Sequence, residues 1–597
     1  MTGGDERRDL AGQARCSASD VSMALYRPAL LQSLKEGYSR RDFTADLWAG
    51  LLVGVVALPL SMALAIASGC TPAQGLWTAI VGGLLISLLG GSRVQIGGPA
   101  GAFVGLCAVG VNQFGYEGLA LATLMSGAFI LFLGLARLGK AVSYIPTPVV
   151  IGFTTGIALI LFSTQLGPAF GIVDPAKPVE HLHERLHHLL THAEGWSWRA
   201  LLCCAATIVL IVLARRWSPK VPGALIALVV VTTLAYLLGW DAPAQGLPGS
   251  DDATRIATIV SRYGEIPASL PAPAFPGLGL GEQWTMHDLF VRLKDLSSLA
   301  LALALLGSIE SLLSAVVSDG MTGHRHDSNS ELIGQGLTNL VTPLFQGMPA
   351  SGVIARTSTN VRAGGKTPIA GIIHALTVLV IMLLAAPLVG HVPLAALAGV
   401  LLVVCWHMAE LRHWPHILKA GRGDAFLLPI AFVMTAFIGV TEAIVVGVVL
   451  AMFFFVKRMA DATEVERHRG SVSDALGTPV IPPGVEVYSV RGPFFFGAAT
   501  LIRDLEAGAT GPASTLVLRL DGVPFIDATA AFSLRELAAA LKRRGGRLVL
   551  AEVDERARRD LERHDLIADL GADAVFKRLD TALEALGGPS TGGDKAH

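Results

Sequence analysis

Long apolar runs separated by short polar turns fill the chain from about residue 47 to residue 457. Twelve of them, at 47–67, 75–91, 117–136, 147–166, 199–214, 222–240, 295–317, 331–346, 367–390, 393–407, 424–439 and 441–457, approach the length needed to cross about 30 Å of hydrocarbon. Two shorter segments, 98–111 and 351–362, open on Gly and Pro. They read as half-helices that start afresh at membrane depth, which brings the expected count to about fourteen. Beyond Lys457 the pattern changes. VEVYSVRGPFFFGAA and STLVLRLDGVPFIDATAAFSLRELAAALKRRGGRLVLAEV alternate buried-type strands with helices of period 3.6, so the tail reads as a small α/β unit.

Composition supports this division. With 597 residues, 52% hydrophobic, 16% charged, 66 glycines and a mean hydropathy of +0.57, the chain is too apolar for a soluble enzyme. Its net charge of −1 argues against a nucleic-acid partner; the partner that the apolar runs require is the lipid bilayer. Cys16, Cys70, Cys107, Cys203, Cys204 and Cys405 mostly fall inside apolar runs and read as small core residues, not as a disulfide or metal framework. No nucleophile–base pair, nucleotide loop or HExxH motif is present, so an enzyme is not expected. Basic residues gather at alternate turns, among them Arg40 and Arg41, Arg137 and Lys140, Arg215 and Arg216, Arg362 and Lys366, and Lys457 and Arg458. The positive-inside rule then predicts both termini in the cytoplasm of a bacterial-type inner membrane. The first 46 residues are polar and lack an apolar core, so no cleavable signal peptide is expected.

The candidate chemistry lies in the broken segments. GGPAGAFVGL from Gly97 is third among the first seven segments, and ASGVIARTST from Ala350 is third among the second seven. Short Gly/Pro-interrupted segments in corresponding halves point to an inverted repeat with its binding site at the midplane. Their facing N-termini place Gly101, Ala102 and Phe103 opposite Ala355, Arg356 and Thr357. Bare helix N–H groups, the positive ends of two helix dipoles and a buried arginine together describe a bed for an anion. Ser61, in the PLSMA stretch of the first segment, belongs to the same candidate set. A second intramembrane charge, Glu310, shares a helical face with Ser314. With Gly352 this pair is the candidate site for a coupling ion, H+ or Na+. No cofactor or metal is expected. The segment HLHERLHHLLTH, 181–192, puts His183 and His187 at a metal-compatible i, i+4 spacing, but an amphipathic surface helix accounts for it without zinc.

The strings IPTPVVIGFTTGIA (145–158), IESLLSAVVSDGMTGHRHDSNSELIGQGLTN (309–339) and ARTSTNVRAGGKTPIAG (355–371) resemble the sulfate permease family of anion transporters over about residues 35–590. The resemblance implies fourteen segments in two inverted repeats, split into a mobile core domain and a gate domain, with an elevator-like movement and a homodimeric state. It implies sulfate, bicarbonate, chloride or dicarboxylate as substrate, and Glu310 at the coupling-ion position. Leu60 resembles the Na+-driven bicarbonate carriers, whereas Glu310 and Ile354 stand where those carriers have Asp and Thr, a departure that favours proton coupling or none. An uncoupled channel or exchanger and a dicarboxylate transporter remain open alternatives. A membrane anchor for a signalling tail would need neither the paired broken helices nor the buried charges.

The tail resembles a STAS domain through Asp527-Ala528-Thr529 at a helix start. Where signalling relatives have a phosphorylated Ser, this chain has Ala528, leaving Asp527 and Thr529 as candidates for contact with a cytoplasmic regulator. The expected organisation is a cytoplasmic segment 1–40, a transporter domain 41–460, a linker 461–482, a STAS domain 483–590 and a tail 591–597.

Overall fold

The computed structural model describes residues 26–142, 146–172, 182–192, 195–217, 222–241, 255–269, 271–277, 285–468, 481–496 and 515–587. The 591–597 tail, most of the 1–40 segment and His181 lie outside these. The chain forms two compact units, 1–448 and 449–597.

In the first unit, among the described residues, seven helices are long and apolar enough to cross a membrane: α1 Arg40–Ala67, α2 Pro72–Leu89, α3 Gly101–Leu135, α4 Thr147–Phe170, α5 Trp198–Trp217, α7 His287–Thr322 and α10 Ile369–Gly390. Three shorter apolar helices accompany them, α6 Gly223–Leu237, α11 Leu394–Met408 and α12 Gly423–Ile438, with α8 Ser328–Val341 and α9 Ile354–Arg362 between α7 and α10. Gly115, at φ 71°, breaks the course of α3, between the expected segments 98–111 and 117–136. Phe132, Leu213, Leu384 and Leu388 stand exposed on helix surfaces. In water such a surface would aggregate; against lipid it is the expected exterior.

Packing sorts the helices into two groups. In one, α3 lies against α7 and α8, and α1 against α10; in the other, α4 lies against α11 and α12, and α5 against α6 and α11. The α3–α8 contact is close because Gly127 and Gly336 carry no side chain: a Cβ on either would lie 2.8 Å or less from backbone of the other helix. At one end of the unit Lys366 Nζ donates to Asp42 Oδ1 at 2.8 Å, and the amides of Lys366 and Thr367 donate to Asp46 Oδ1 at 2.7 and 3.1 Å. The basic start of α1 and the basic turn between α9 and α10 therefore share one face.

Two three-residue strands cross in the middle of the first group. β1, Gly97–Pro99, pairs antiparallel with β2, Ala350–Gly352, in the register Gly97↔Gly352, Gly98↔Ser351 and Pro99↔Ala350. Each strand feeds directly into a helix start, β1 into α3 and β2 into α9. A π-helical turn in α2, Thr78–Gly82, cradles the crossing, and Thr78 Oγ1 accepts the Met348 amide at 2.8 Å.

In the second unit, among the described residues, five strands run in the order β3 Glu464–His468, β4 Val485–Arg491, β5 Thr515–Arg519, β6 Arg547–Ala551 and β7 Val575–Phe576. β3 is antiparallel to β4 and the remaining neighbours are parallel. β3 falls inside the expected 461–482 linker, which is corrected accordingly: EVERH is a polar edge strand without the apolar alternation that marks a buried one. Helices Ala528–Arg543, Glu555–Arg563 and Leu579–Ala585 cover the sheet.

Candidate anion site

The strand crossing brings two helix N-termini together without capping them. Ala100 and Val353, which precede the two helices, make no side-chain cap. Ser39, Thr71 and Thr285 form capping boxes for α1, α2 and α7, and Asp327 accepts Ser330 N–H at the start of α8; α4, α6, α10, α11 and α12 also start without a side-chain cap, most of them behind a proline, so what distinguishes the two starts at the crossing is the buried arginine beside them. In α9 the first amide with a helical acceptor is that of Thr357, to Val353 O at 2.9 Å, so the N–H groups of Ile354, Ala355 and Arg356 are the unpaired donors of a helix start. At the other arm the Phe103 amide is already spent on Ala100 O at 3.2 Å, leaving Gly101 and Ala102 as the leading donors. Gly101 is partly exposed and Ala355 exposed, so the meeting point is accessible. Phe103 itself is fully buried and its ring packs against Gly307 of α7; its contribution is packing.

Arg356 is 2% exposed. Its Nη2 donates to Ser61 Oγ at 3.0 Å and to Pro99 O at 3.4 Å, while Nε and Nη1 have no partner among the described residues. Gly98 makes room for that guanidinium: at φ +149°, a Cβ there would lie 2.4 Å from Nη1. A buried arginine with two open donor atoms is costly unless a negative group completes it.

Glu310 is partly buried, and its Oε2 accepts Ser351 Oγ–H at 2.9 Å. Among the described residues no ion pair within 4.0 Å joins it to Arg356. Ser314 Oγ donates to Thr357 Oγ1 at 3.1 Å, and the Ile96 amide donates to the same oxygen at 3.1 Å. Gly352 N–H donates to Ser311 Oγ at 3.0 Å. The structure thus brings Ser61, Gly101, Ala102, Arg356 and Thr357 together with Glu310, Ser314 and Gly352 around one strand crossing. Ser351 and His374 were not anticipated. His374 is fully buried, its ring lies against Gly83, and among the described residues neither ring nitrogen has a hydrogen-bond partner within 3.5 Å. Its signal was present: it and Thr377 are the polar side chains of an otherwise apolar α10.

In the second unit, Asp527 is the N-cap of the Ala528–Arg543 helix. Its carboxylate accepts Ala530 N–H at 2.8 Å and Phe496 N–H at 3.1 Å, so the anion position of that helix is taken by the chain's own side chain. Thr529 is exposed. At the end of the Leu182–Thr191 helix the rings of His188 and His192 stack at 4.1 Å, and among the described residues no group of three or more metal-binding side chains forms.

The fold and this crossing define a helical membrane transporter with a C-terminal α/β domain. The chain belongs to the sulfate permease family, whose model matches residues 43–431, and the STAS domain model matches residues 479–582. It is 38% identical over 547 residues to the Bacillus subtilis (strain 168) protein YvdB, provisionally named a sulfate transporter, covering 91% of this chain and 98% of that one. It is 29% identical over 569 residues to the bicarbonate transporter BicA of Picosynechococcus sp., covering 91% and 94%. Among solved structures, the transmembrane domain of a cyanobacterial BicA matches with a TM-score of 0.57 at 30% identity, covering 70% of this chain and 98% of that one. The murine Slc26a9 anion transporter matches over 97% of both chains with a TM-score of 0.80 at 18% identity, which is a likeness of fold.

Proposed function

We propose that the protein is a secondary active transporter of small anions, sulfate or bicarbonate, in the bacterial inner membrane, working by elevator-type alternating access and coupled to an inward cation gradient. The observation that carries this reading is Arg356: buried, held through Nη2 alone by Ser61 Oγ and Pro99 O, with two open donor atoms among the described residues at the junction of two uncapped helices. Helix N–H groups and a guanidinium suit any compact oxyanion, and the names of YvdB and BicA narrow the choice to sulfate and bicarbonate. The two packing groups supply a moving part and a fixed part. The anion site sits on the first group, which would carry it past α4, α5, α6, α11 and α12. Glu310, hydrogen-bonded to Ser351 beside the site, is the coupling residue, and its side chain favours a proton over Na+. The termini and STAS domain are placed in the cytoplasm, where Thr529 is the accessible position for a regulator and where the domain supports a homodimer.

The test is uptake of labelled sulfate and labelled bicarbonate into proteoliposomes, each under an inward proton gradient and separately under an inward Na+ gradient. Saturable, gradient-driven uptake of one anion supports the reading; flux that neither saturates nor responds to either gradient refutes it.

A further inference from the structure

A second intramembrane carboxylate, Glu331 of α8, is absorbed by neither the anion site nor the coupling pair. It is fully buried. Its Oε2 accepts the amides of Gly91 and Ser92 at 2.8 and 3.1 Å, while Oε1 has no partner among the described residues. The Gln95 amide stands beside this carboxyl, close enough to interact with it, and among the described residues neither Gln95 Oε1 nor Nε2 makes a hydrogen bond within 3.5 Å. Gln95 also fills the space that the missing side chain of Gly352 leaves: a Cβ on Gly352 would sit 1.4 Å from Gln95 Nε2. Gly352 follows Ser351, the partner of Glu310. Beneath Glu331, Ser92 Oγ lies 3.5 Å from Ser318 Oγ, and His326 pairs through Nδ1 with Asp319 Oδ2 at 2.7 Å at the turn between α7 and α8. Ser311, Ser314, Ser318 and Thr322 line one face of α7 at helical spacing from the crossing to that turn. Buried polar atoms are ordinarily satisfied; Glu331 Oε1 and the Gln95 amide depart from this among the described residues, beside a row of hydrogen-bonded hydroxyls on α7.

We infer that Glu331 and Gln95 form a proton path connecting the Glu310 site with the aqueous face at Asp319 and His326. The inference rests on the proton-coupled reading of Glu310. A proton taken up by the His326–Asp319 pair passes to Glu331, whose carboxyl binds it on Oε1. It then passes by way of water beside Gln95 and the Ser351 hydroxyl to Glu310, with no net chemistry. Other charged or titratable groups around Glu331 are Tyr26, whose hydroxyl donates to Leu89 O at 2.8 Å, Arg93, already paired with Glu36 at 2.5 Å, Asp327, which caps α8, and Lys140 on the Gly139–Val142 turn. α3 meets α8 through glycine.

The competing role is structural: Glu331 ties the 91–92 turn to α8. The two roles separate by transport mode, because counterflow of labelled anion at symmetric pH needs the anion site but no net proton movement. In proteoliposomes carrying a luminal pH dye, Glu331→Gln, which keeps an acceptor oxygen for the two amides, is expected to slow proton-driven uptake and luminal acidification at least about tenfold, with counterflow within about twofold of wild type. Gln95→Leu, which leaves the Gly91 and Ser92 bonds intact, is expected to behave alike and decides the matter if Glu331→Gln fails to insert. Equal loss in both modes, or no loss in either, overturns the path. Glu310→Gln runs alongside: if it alone uncouples transport, the path is wrong and the coupling site stands, whereas if it leaves proton drive intact, the coupling reading itself has failed.

Discussion

The two arms that meet at the β1–β2 crossing share a geometry and differ in chemistry. Each is a short strand leading into an uncapped helix. The arm from Gly97 carries Gly, Pro, Ala and Phe and offers backbone donors with an apolar wall; the arm from Ala350 adds Arg356, Thr357 and Ser351. Charge selection therefore resides on the arm from Ala350, and the arm from Gly97 must stay small so that the Arg356 guanidinium fits, as Gly98 shows. The two arms share the backbone device, and only one of them carries the cation.

Breaking the charged arm should have the largest effect. Arg356→Ala is expected to lower saturable uptake by about a hundredfold or more, the scale of losing a charge-assisted contact in a desolvated site, without loss of membrane insertion, measured by initial rates against protein recovered in the membrane. Breaking the silent arm comes next. Gly98→Ala puts a methyl group against Nη1 and a side chain at φ +149°, and should raise the KM about tenfold or more; an unchanged KM would separate Gly98 from Arg356. Ser61→Ala removes the hydroxyl bonded to Nη2 at 3.0 Å and is expected to raise the KM about three- to tenfold, in keeping with one hydrogen bond to a charged group. Val353→Ser sharpens the comparison from the other direction: a serine at that N-cap competes for the α9 amides, which should weaken anion binding a few-fold while stabilising the helix by about 0.5 to 1 kcal/mol. Smallest of all for transport, Asp527→Ala should cost the STAS unit about 1 kcal/mol of stability through the lost cap, read by thermal unfolding, with uptake kinetics unchanged.

Much of this was legible in the sequence because lipid makes polar groups conspicuous. Gly and Pro interrupting an apolar run, and a single arginine inside one, mark the two arms without reference to any partner. The crossing itself was not legible: three-residue strands have no periodicity, and their pairing partners lie far apart in the chain. Which groups on an arm are active was equally hidden. Phe103 looked like part of the anion bed, but its amide is used within the turn and its ring belongs to the core, a distinction set by where the first helical hydrogen bond closes. Ser351 became the partner of Glu310 only through the fold. β3 escaped notice because an edge strand of charged residues reads as linker.

The central claim is that Arg356 and the two helix starts form one anion site. Equilibrium binding of labelled sulfate and labelled bicarbonate to the purified protein in detergent, with no gradient and hence no coupling energy, tests it most directly. Saturable binding of at least one anion by wild type and by Glu310→Gln, abolished in Arg356→Ala, is the predicted result. Binding that survives in Arg356→Ala with unchanged affinity would place the anion elsewhere and contradict the account.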